Sequence, residues 1–164
     1  RPRRSRAVHD PTIWARNPAE GYGLVWNPGG DKVEGFSNGL WMLFMALIHL
    51  LPLEISKTSA VVQAAGAACL AANCIVVHRL VALLPGATAR VALAAAVVTG
   101  LYLPLNAWGW LGTEVAPLTL LVSLAAATAL RLDKQPHRIP VLYGILGCAV
   151  LIRMDMAVMY VAVV

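Results

Sequence analysis

The sequence predicts an all-α fold, a polytopic bundle of transmembrane helices that follows a polar extramembrane loop region at the N-terminus. Three observations support this prediction. First, 59% of the 164 residues are hydrophobic and only 13% are charged, whereas soluble domains carry roughly 25% charged residues. Second, ten of the 21 acidic and basic residues lie in the first 38 positions. Third, the long apolar runs that follow show no alternating pattern that would indicate strands.

The polar region covers residues 1–38. It is rich in Gly, Pro and Asn, which favour turns, and it also contains apolar and aromatic side chains at intervals. Amphipathic aromatic residues are typical of segments that lie at the level of the lipid headgroups. We therefore predict a structured loop at the membrane surface, with a disordered tail as the alternative. The side chains concerned are Trp14, Tyr22, Val25, Trp26 and Phe36.

The membrane region covers residues 39–164, in which we expect about four to six membrane segments. Lipid offers no hydrogen-bond partner for bare backbone groups, so its apolar runs must be helices. The first run is shorter than the roughly 20 residues that a bilayer requires. The second is long enough and rich in small residues, which allow close helix packing. The runs are 40–53, 58–77, 91–112, 115–130 and 139–152.

Two features interrupt these runs. Pro104 lies within the third run, so we expect its helix to end near that position. Arg153 and Asp155 follow the fifth run, and apolar sequence then resumes. A soluble helix bundle is the alternative fold, but it would need polar outer faces at a spacing of 3.6 residues. After Ser59 at its start, the second run offers only Gln63 and Asn73 up to residue 77.

The net charge of +5 does not indicate a nucleic-acid partner. The basic residues are scattered between apolar runs, and the cluster at the N-terminus consists of Arg1, Arg3, Arg4 and Arg6. Attraction of basic residues beside the membrane to anionic lipid explains this pattern more simply. Membrane lipid is therefore an expected partner, and nucleic acid is not.

The three cysteines show neither CxxC nor His/Cys spacing, so we predict neither a disulfide nor a metal site from them. They are Cys69, Cys74 and Cys148, and each lies within an apolar run. Small residues of this kind pack between helices.

Charge also predicts the orientation of the segments, because connections rich in Lys and Arg remain in the cytoplasm. The connections after the second and fourth runs are basic, whereas the turn after the third run carries only Glu114. That turn is therefore expected outside. If the first run crosses the membrane, residues 1–38 lie inside. If it enters and returns, they lie outside.

The stretch ARNPAEGYGLVWNPGGDKVEGFSNGLW, residues 15–41, resembles the first extracytoplasmic loop of polytopic glycosyltransferases with the GT-C fold. The similar proteins are actinobacterial arabinofuranosyltransferase-like and mannosyltransferase-like enzymes. Two later stretches also resemble this family: GTEVAPLTLLVSLAAATALR through Glu114, and IRMDMAVMY through Arg153 and Asp155. The positions of the first stretch that match are Arg16, Asn17, Gly21, Gly23, Asn27, Gly29, Val33, Glu34, Gly35, Ser37, Asn38, Leu40 and Trp41.

The resemblance implies a GT-C-like bundle in the plasma membrane, with the N-terminal loop outside the cytoplasm. It implies a polyprenyl-phosphate sugar as donor and a glycan or glycolipid as acceptor. The family loop opens with two adjacent acids, whereas here His9 precedes Asp10. The match corresponds to the N-terminal portion of such an enzyme, and a first transmembrane helix would precede it.

By this resemblance Asp10 is the candidate catalytic base, because a carboxylate can take the proton of the acceptor hydroxyl. An Asp-Pro turn or cap is the alternative for it. His9 can assist, since it titrates near neutral pH. Arg16 and Arg153 can hold phosphate oxygens, although Arg16 equally suits an anchor at the membrane interface.

The remaining candidates for substrate binding are Asn17, Asn38, Glu34, Glu114 and Asp155. Either glutamate can bind a divalent cation or a sugar hydroxyl, or it can be a hydrated surface group, so no cofactor is certain. Ionisable groups within apolar runs are costly and are usually paired or functional. Positions i and i+2 do not share a helix face, so we expect Asp155 and the arginine two residues before it to find partners elsewhere.

Two other functions remain open at this point. A non-catalytic polytopic protein, or a degenerate relative of the transferases that supports an assembly, would have the same composition. A small transporter is the other possibility, although the sequence shows no inverted repeat.

Overall fold

The computed structural model describes residues 21–22, 38–52 and 54–163. This part of the chain contains seven α-helices and two 3₁₀ turns and no strand, which confirms the all-α prediction. Most of the polar region, residues 1–20 and 23–37, lies outside the described residues. The predictions of a surface loop and of its alternative therefore lie outside them as well.

The helices follow the predicted apolar runs closely. The two 3₁₀ turns, Pro136–Arg138 and Met154–Met156, precede the last two helices. The helices are α1 Gly39–His49, α2 Ile55–Val81, α3 Ala89–Leu101, α4 Leu103–Trp110, α5 Val115–Ala129, α6 Ile139–Ile152 and α7 Ala157–Val163.

A break between α3 and α4 bends the chain by 53°, close to the predicted end at Pro104. Proline has no N–H, so the carbonyl of Gly100, four residues earlier, loses its helical partner. The side-chain amide of Asn106 donates to that carbonyl at 2.6 Å. The sequence therefore both creates the break and satisfies the backbone group that the break leaves free.

One helix among the described residues, α2, is long and apolar enough to cross a membrane over Lys57–Val81. The bent pair of α3 and α4 passes the same test if it is counted as one span. The other apolar helices are shorter, at Gly39–His49, Val115–Ala129 and Pro136–Ile152. The predicted number of four to six membrane segments therefore stays a prediction.

The α3–α4 pair runs antiparallel to α2. A Cβ atom on Gly66 of α2 would lie 2.6 Å from the carbonyl oxygen of Gly109 of α4, so the two backbones are in contact there. A Cβ atom on Gly100 would lie 3.5 Å from the sulfur of Cys74. The small residues predicted to permit close packing are thus the ones at which these helices meet.

Helices α5 and α6 complete the bundle. Ala125 of α5 packs with Leu142 and Leu146 of α6 in a buried cluster. The chain direction puts the α4–α5 turn, the start of α2 and the end of α6 at one end of the bundle. The α2–α3 and α5–α6 connections lie at the other end.

The two ends differ in charge. The first, which we call the acidic end, has three carboxylates and two cations and a net charge of −1, from Glu54, Lys57, Glu114, Arg153 and Asp155. The second, which we call the basic end, has five cations and one carboxylate and a net charge of +4, from Arg79, Arg90, Arg131, Asp133, Lys134 and Arg138.

Helix α1 packs across the acidic end. Trp41, Met45 and Ile48 bury their side chains against Val62 of α2. Its 11 residues span about 16 Å. The residue before α1, Asn38, and the start of α2 both lie at the acidic end. Helix α1 therefore does not carry the chain from one end of the bundle to the other.

The outer faces of α3 and α4 are apolar. The large hydrophobic side chains that are most exposed on them are at least 59% exposed, and they are Leu93, Val98, Leu101, Leu103 and Trp110. A soluble bundle would place polar side chains at such positions. These faces are the kind of surface that lipid covers.

Candidate functional site

Three segments that are distant in the sequence meet at the acidic end. Asn38 precedes α1, Glu114 precedes α5, and Arg153 and Asp155 follow α6. The side-chain amide of Asn38 donates to Oε2 of Glu114 at 3.3 Å. Oε1 of Glu114 lies 3.8 Å from Nη1 of Arg153. We call these four residues the polar cluster.

The pair of Arg153 and Asp155 contradicts the sequence-based expectation that the two do not bind each other, although Arg153 also has the expected partner elsewhere, Glu114. Nε of Arg153 donates to Oδ1 of Asp155 at 3.1 Å, and Nη2 donates to Oδ2 at 2.6 Å. The expectation was wrong because it assumed a continuous helix. Helix α6 ends at Ile152, Arg153 is extended with φ −145° and ψ 122°, and a 3₁₀ turn then places Asp155 beside the guanidinium.

This two-bond geometry changes the acidity of both groups. The hydrogen bond from Arg153, together with its charge, lowers the pKa of the Asp155 carboxyl. The same hydrogen bond, aided by the negative charges of Asp155 and Glu114, raises the pKa of the Arg153 guanidinium. Both members of the pair are therefore charged at neutral pH. The cluster holds one cation and two carboxylates, so its formal charge is −1.

Burial within the cluster is graded. The side chain of Glu114 is 20% exposed, that of Arg153 38% and that of Asp155 60%. Glu114 is therefore not the fully hydrated surface group that was the alternative for it. Asp155 is therefore the member that another anion or water could most easily displace from Arg153.

The turn that carries Glu114 is held in place by α1. Nε1 of the buried Trp41 donates to the carbonyl oxygen of Gly112 at 3.0 Å. Gly112 has φ +73°, which a glycine adopts without the strain that other residues incur. This bond couples the start of α1 to the α4–α5 turn, and so fixes Glu114 relative to Asn38.

A small cavity with a partly polar wall, which we call the polar cavity, lies beneath this turn and has a volume of about 70 Å³. Asn38, Ser59, Gln63, Thr113 and Glu114 contribute polar groups to its wall. One water molecule occupies about 30 Å³ in the liquid, and ligand pockets are typically at least about 300 Å³. The cavity therefore admits water or a small polar group, and it is much smaller than a typical ligand pocket.

A larger groove, wholly apolar, lies on the other side of α1. Its volume is about 320 Å³. We call it the α1 groove; it is lined by Leu40, Trp41, Leu43, Phe44, Leu47, Pro117 and Ile152. Trp41 borders both the groove and the polar cavity, and Ile152 directly precedes Arg153. An apolar chain in the groove would thus have the polar cluster next to one of its ends.

The structure brings together four of the nine residues that the sequence proposes for the site. The other five, His9, Asp10, Arg16, Asn17 and Glu34, lie outside the described residues. Within the described ranges, no group of three or more His, Cys, Asp or Glu side chains could hold a metal ion. The possible divalent cation therefore has no ligand set among these residues.

Sequence reasoning missed three contributors to this region. From the sequence, Trp41 is only a position that matches the transferase loop, whereas in the structure its indole holds the α4–α5 turn. Ser59 and Gln63, which line the polar cavity, lie four residues apart and so share a face of α2. Two polar residues at that spacing in an apolar run were the available signal.

Comparisons of the chain with protein-family models, with curated proteins and with solved structures found no match.

Proposed function

We propose that this chain is the membrane-embedded part of a glycosyltransferase with a GT-C-like bundle. It would transfer a sugar from a polyprenyl-phosphate donor to a glycan or glycolipid acceptor at the outer face of the membrane. The observation that carries the proposal is the polar cluster. Asn38, Glu114 and the Arg153–Asp155 pair come from the three stretches that resemble the transferases, and they meet at one end of the bundle.

The α1 groove supports the kind of donor proposed. A polyprenyl chain is apolar and a phosphate is anionic, so the donor needs an apolar groove that ends beside a cation. Arg153 is that cation. In the structure Asp155 occupies the guanidinium nitrogens that a phosphate would take, so donor binding would replace this exposed carboxylate.

The small cavity sets a limit on the site. The polar cavity beneath the α4–α5 turn is much smaller than a typical ligand pocket, so the donor sugar would lie over the polar cluster, with one hydroxyl towards Glu114. A base must still accept the proton of the acceptor. Asp10 remains the candidate for this role, and it lies outside the described residues.

Sugar transfer by membranes that contain the protein tests this proposal. Each of a panel of radiolabelled polyprenyl-phosphate sugars would be supplied, and incorporation into glycan or glycolipid measured. We expect Arg153→Gln to reduce transfer about 100-fold or more, a loss typical for removing one donor to a developing charge. Arg153→Lys should retain only part of the native transfer activity, because lysine cannot donate two parallel hydrogen bonds to a phosphate.

Lys57→Gln is the matched control, and Asp10→Asn tests the proposed base. Lys57 is a cation at the same end of the bundle, but its side chain is 66% exposed and pairs with Glu54 rather than with the polar cluster, so its loss should leave transfer unchanged. Asp10→Asn should abolish transfer while the protein remains inserted. Failure of the native protein to use any donor would overturn the proposal, and so would full activity of Arg153→Gln.

The second candidate is a non-catalytic membrane protein that acts as an assembly subunit. The contacts within the polar cluster favour it, because Asn38, Glu114, Arg153 and Asp155 already bind one another. In that case the polar cluster has a structural role and holds α1, α5 and α6 together. Membranes with the native protein would then show no transfer, yet Arg153→Gln would still lower the free energy of unfolding.

A multi-pass location in the plasma membrane belongs to the same proposal, with the acidic end outside. It can be tested with cysteine labelling of intact cells by a reagent that does not cross membranes. We expect Lys57→Cys to be labelled and Lys134→Cys to be labelled only after the cells are opened. The opposite pattern would reverse the proposed orientation. The background variant would have alanine in place of Cys69, Cys74 and Cys148.

A further inference from the structure

We infer that the basic end of the bundle is a binding surface for the headgroups of anionic phospholipids. This inference concerns the end opposite the polar cluster and does not depend on transferase activity. Among the described residues, five cations from separate parts of the chain lie at this end, and Asp133 is the single carboxylate beside them. The cations are Arg79 at the end of α2, Arg90 at the start of α3, and Arg131, Lys134 and Arg138 between α5 and α6.

Three of these cations are fully available to a ligand, and the other two, Arg131 and Arg138, are half-buried. Arg79, Arg90 and Lys134 are exposed. The ion pairs within the described part of the chain all lie at the acidic end, so none of the five is paired with a described carboxylate. The positive charge at this end is therefore not neutralised by the bundle itself.

Apolar side chains stand next to the cations and indicate which anion the surface takes. Leu83 and Leu84, in the α2–α3 connection, are 40% and 45% exposed, and Leu130 and Ile139 beside the α5–α6 connection are 50% and 44% exposed. A surface that is both basic and apolar suits the boundary between headgroups and acyl chains. A soluble polyanion such as nucleic acid would leave these leucines in water.

The test measures the selectivity of the reconstituted protein for spin-labelled lipids. In phosphatidylcholine vesicles at low salt, electron paramagnetic resonance gives the association constants of labelled phosphatidylglycerol and phosphatidylcholine with the protein. We expect a preference for phosphatidylglycerol that falls roughly fivefold or more when Arg131, Lys134 and Arg138 are all replaced by glutamine, since even one basic group near an anionic surface contributes about fivefold. Raising the salt concentration should weaken the preference of the native protein.

Lys57→Gln is the matched control, because it removes a cation from the acidic end, and its preference should equal that of the native protein. Helix content from circular dichroism establishes that each variant is folded. Equal association of both lipids with the native protein would overturn the inference, as would a triple variant that keeps the preference. Loss of the preference in millimolar inorganic phosphate, or tight binding of a single-stranded oligonucleotide in detergent, would assign the surface to a soluble anion instead.

Discussion

The crossing of α2 and α4 at Gly66 offers a sharp test of the packing. A Cβ atom on Gly66 would lie 2.6 Å from the carbonyl oxygen of Gly109 and 3.6 Å from its carbon. Carbon–oxygen contacts in proteins are ordinarily about 3.3–3.6 Å. The oxygen belongs to the backbone and cannot rotate away, so Gly66→Ala would push α4 outward by several tenths of an ångström.

The cost follows from two opposing effects. Overpacking of a close contact costs about 1–3 kcal/mol, whereas alanine in place of glycine within a helix contributes about 0.5–1 kcal/mol. The net effect expected for Gly66→Ala is a loss of about 0.5–2 kcal/mol. Gly109→Ala should cost less, because its nearest neighbour is the end of the Leu70 side chain, which can change rotamer. Gly144, with nothing within 4 Å of an added Cβ, is the matched control and should gain stability.

The assay is unfolding of the detergent-solubilised protein by increasing sodium dodecyl sulfate, followed by circular dichroism. The expected order of the free energy of unfolding is Gly66→Ala lowest, then Gly109→Ala, then Gly144→Ala. If Gly66→Ala were as stable as Gly144→Ala, α2 and α4 would not cross at Gly66 and the antiparallel arrangement of these helices would be wrong.

Three further predictions concern single interactions. Asn106→Leu should lower the free energy of unfolding by about 0.5–1.5 kcal/mol, because the exposed carbonyl of Gly100 loses its donor; the same sodium dodecyl sulfate titration measures this. Trp41→Phe should cost about 1–3 kcal/mol in that titration, since the turn before α5 loses its indole donor. The stabilisation contributed by the Arg153–Asp155 pair should depend on pH. Because the pKa of Asp155 is lowered from its ordinary value of 3.8, this stabilisation is fully present above that value and is lost as the pH falls through the lowered pKa. The melting temperatures of the native protein and of Asp155→Asn can be measured from pH 7 to pH 3. We expect the difference between the two melting temperatures to be constant down to about pH 3.8 and to become smaller only below it. A difference that becomes smaller near neutral pH would contradict the pairing.

The helices could be predicted from the sequence because each apolar run is bounded by residues that stop a helix or face water. Pro104 is the clearest case, since its missing N–H breaks the third run where the structure bends. What local pattern could not supply was the length of each helix relative to a bilayer. Helix α5, at 15 residues, ends well short of the roughly 20 residues required, although its run looked like a membrane segment.

The site was only partly accessible to sequence reasoning. Glu114 was a candidate through its stretch, but its contact with Asn38 joins positions 76 residues apart, and no local periodicity reports such a distance. The pairing of Arg153 with Asp155 was missed for a different reason. Residues i and i+2 of a helix do not share a face, but this rule does not apply across the end of a helix. Helix α6 ends at Ile152, and the apolar sequence on both sides gave no sign of that end.

The path of α1 bears on the orientation of the whole chain. The basic connections favour a cytoplasmic position for one end of the bundle, the resemblance implies that residues 1–38 lie outside, and the N-terminal arginines favour a position inside. If α1 crossed the bundle, these indications would conflict. Since Asn38 and Glu54 both lie at the acidic end, α1 starts and finishes on one side. Residues 1–38 then join the bundle at the end that carries Glu114, which charge alone also places outside. The arginines before residue 7 would be the one exception to the charge rule, and translocation of such a segment is tolerated when the connections nearer the spanning helices are more basic.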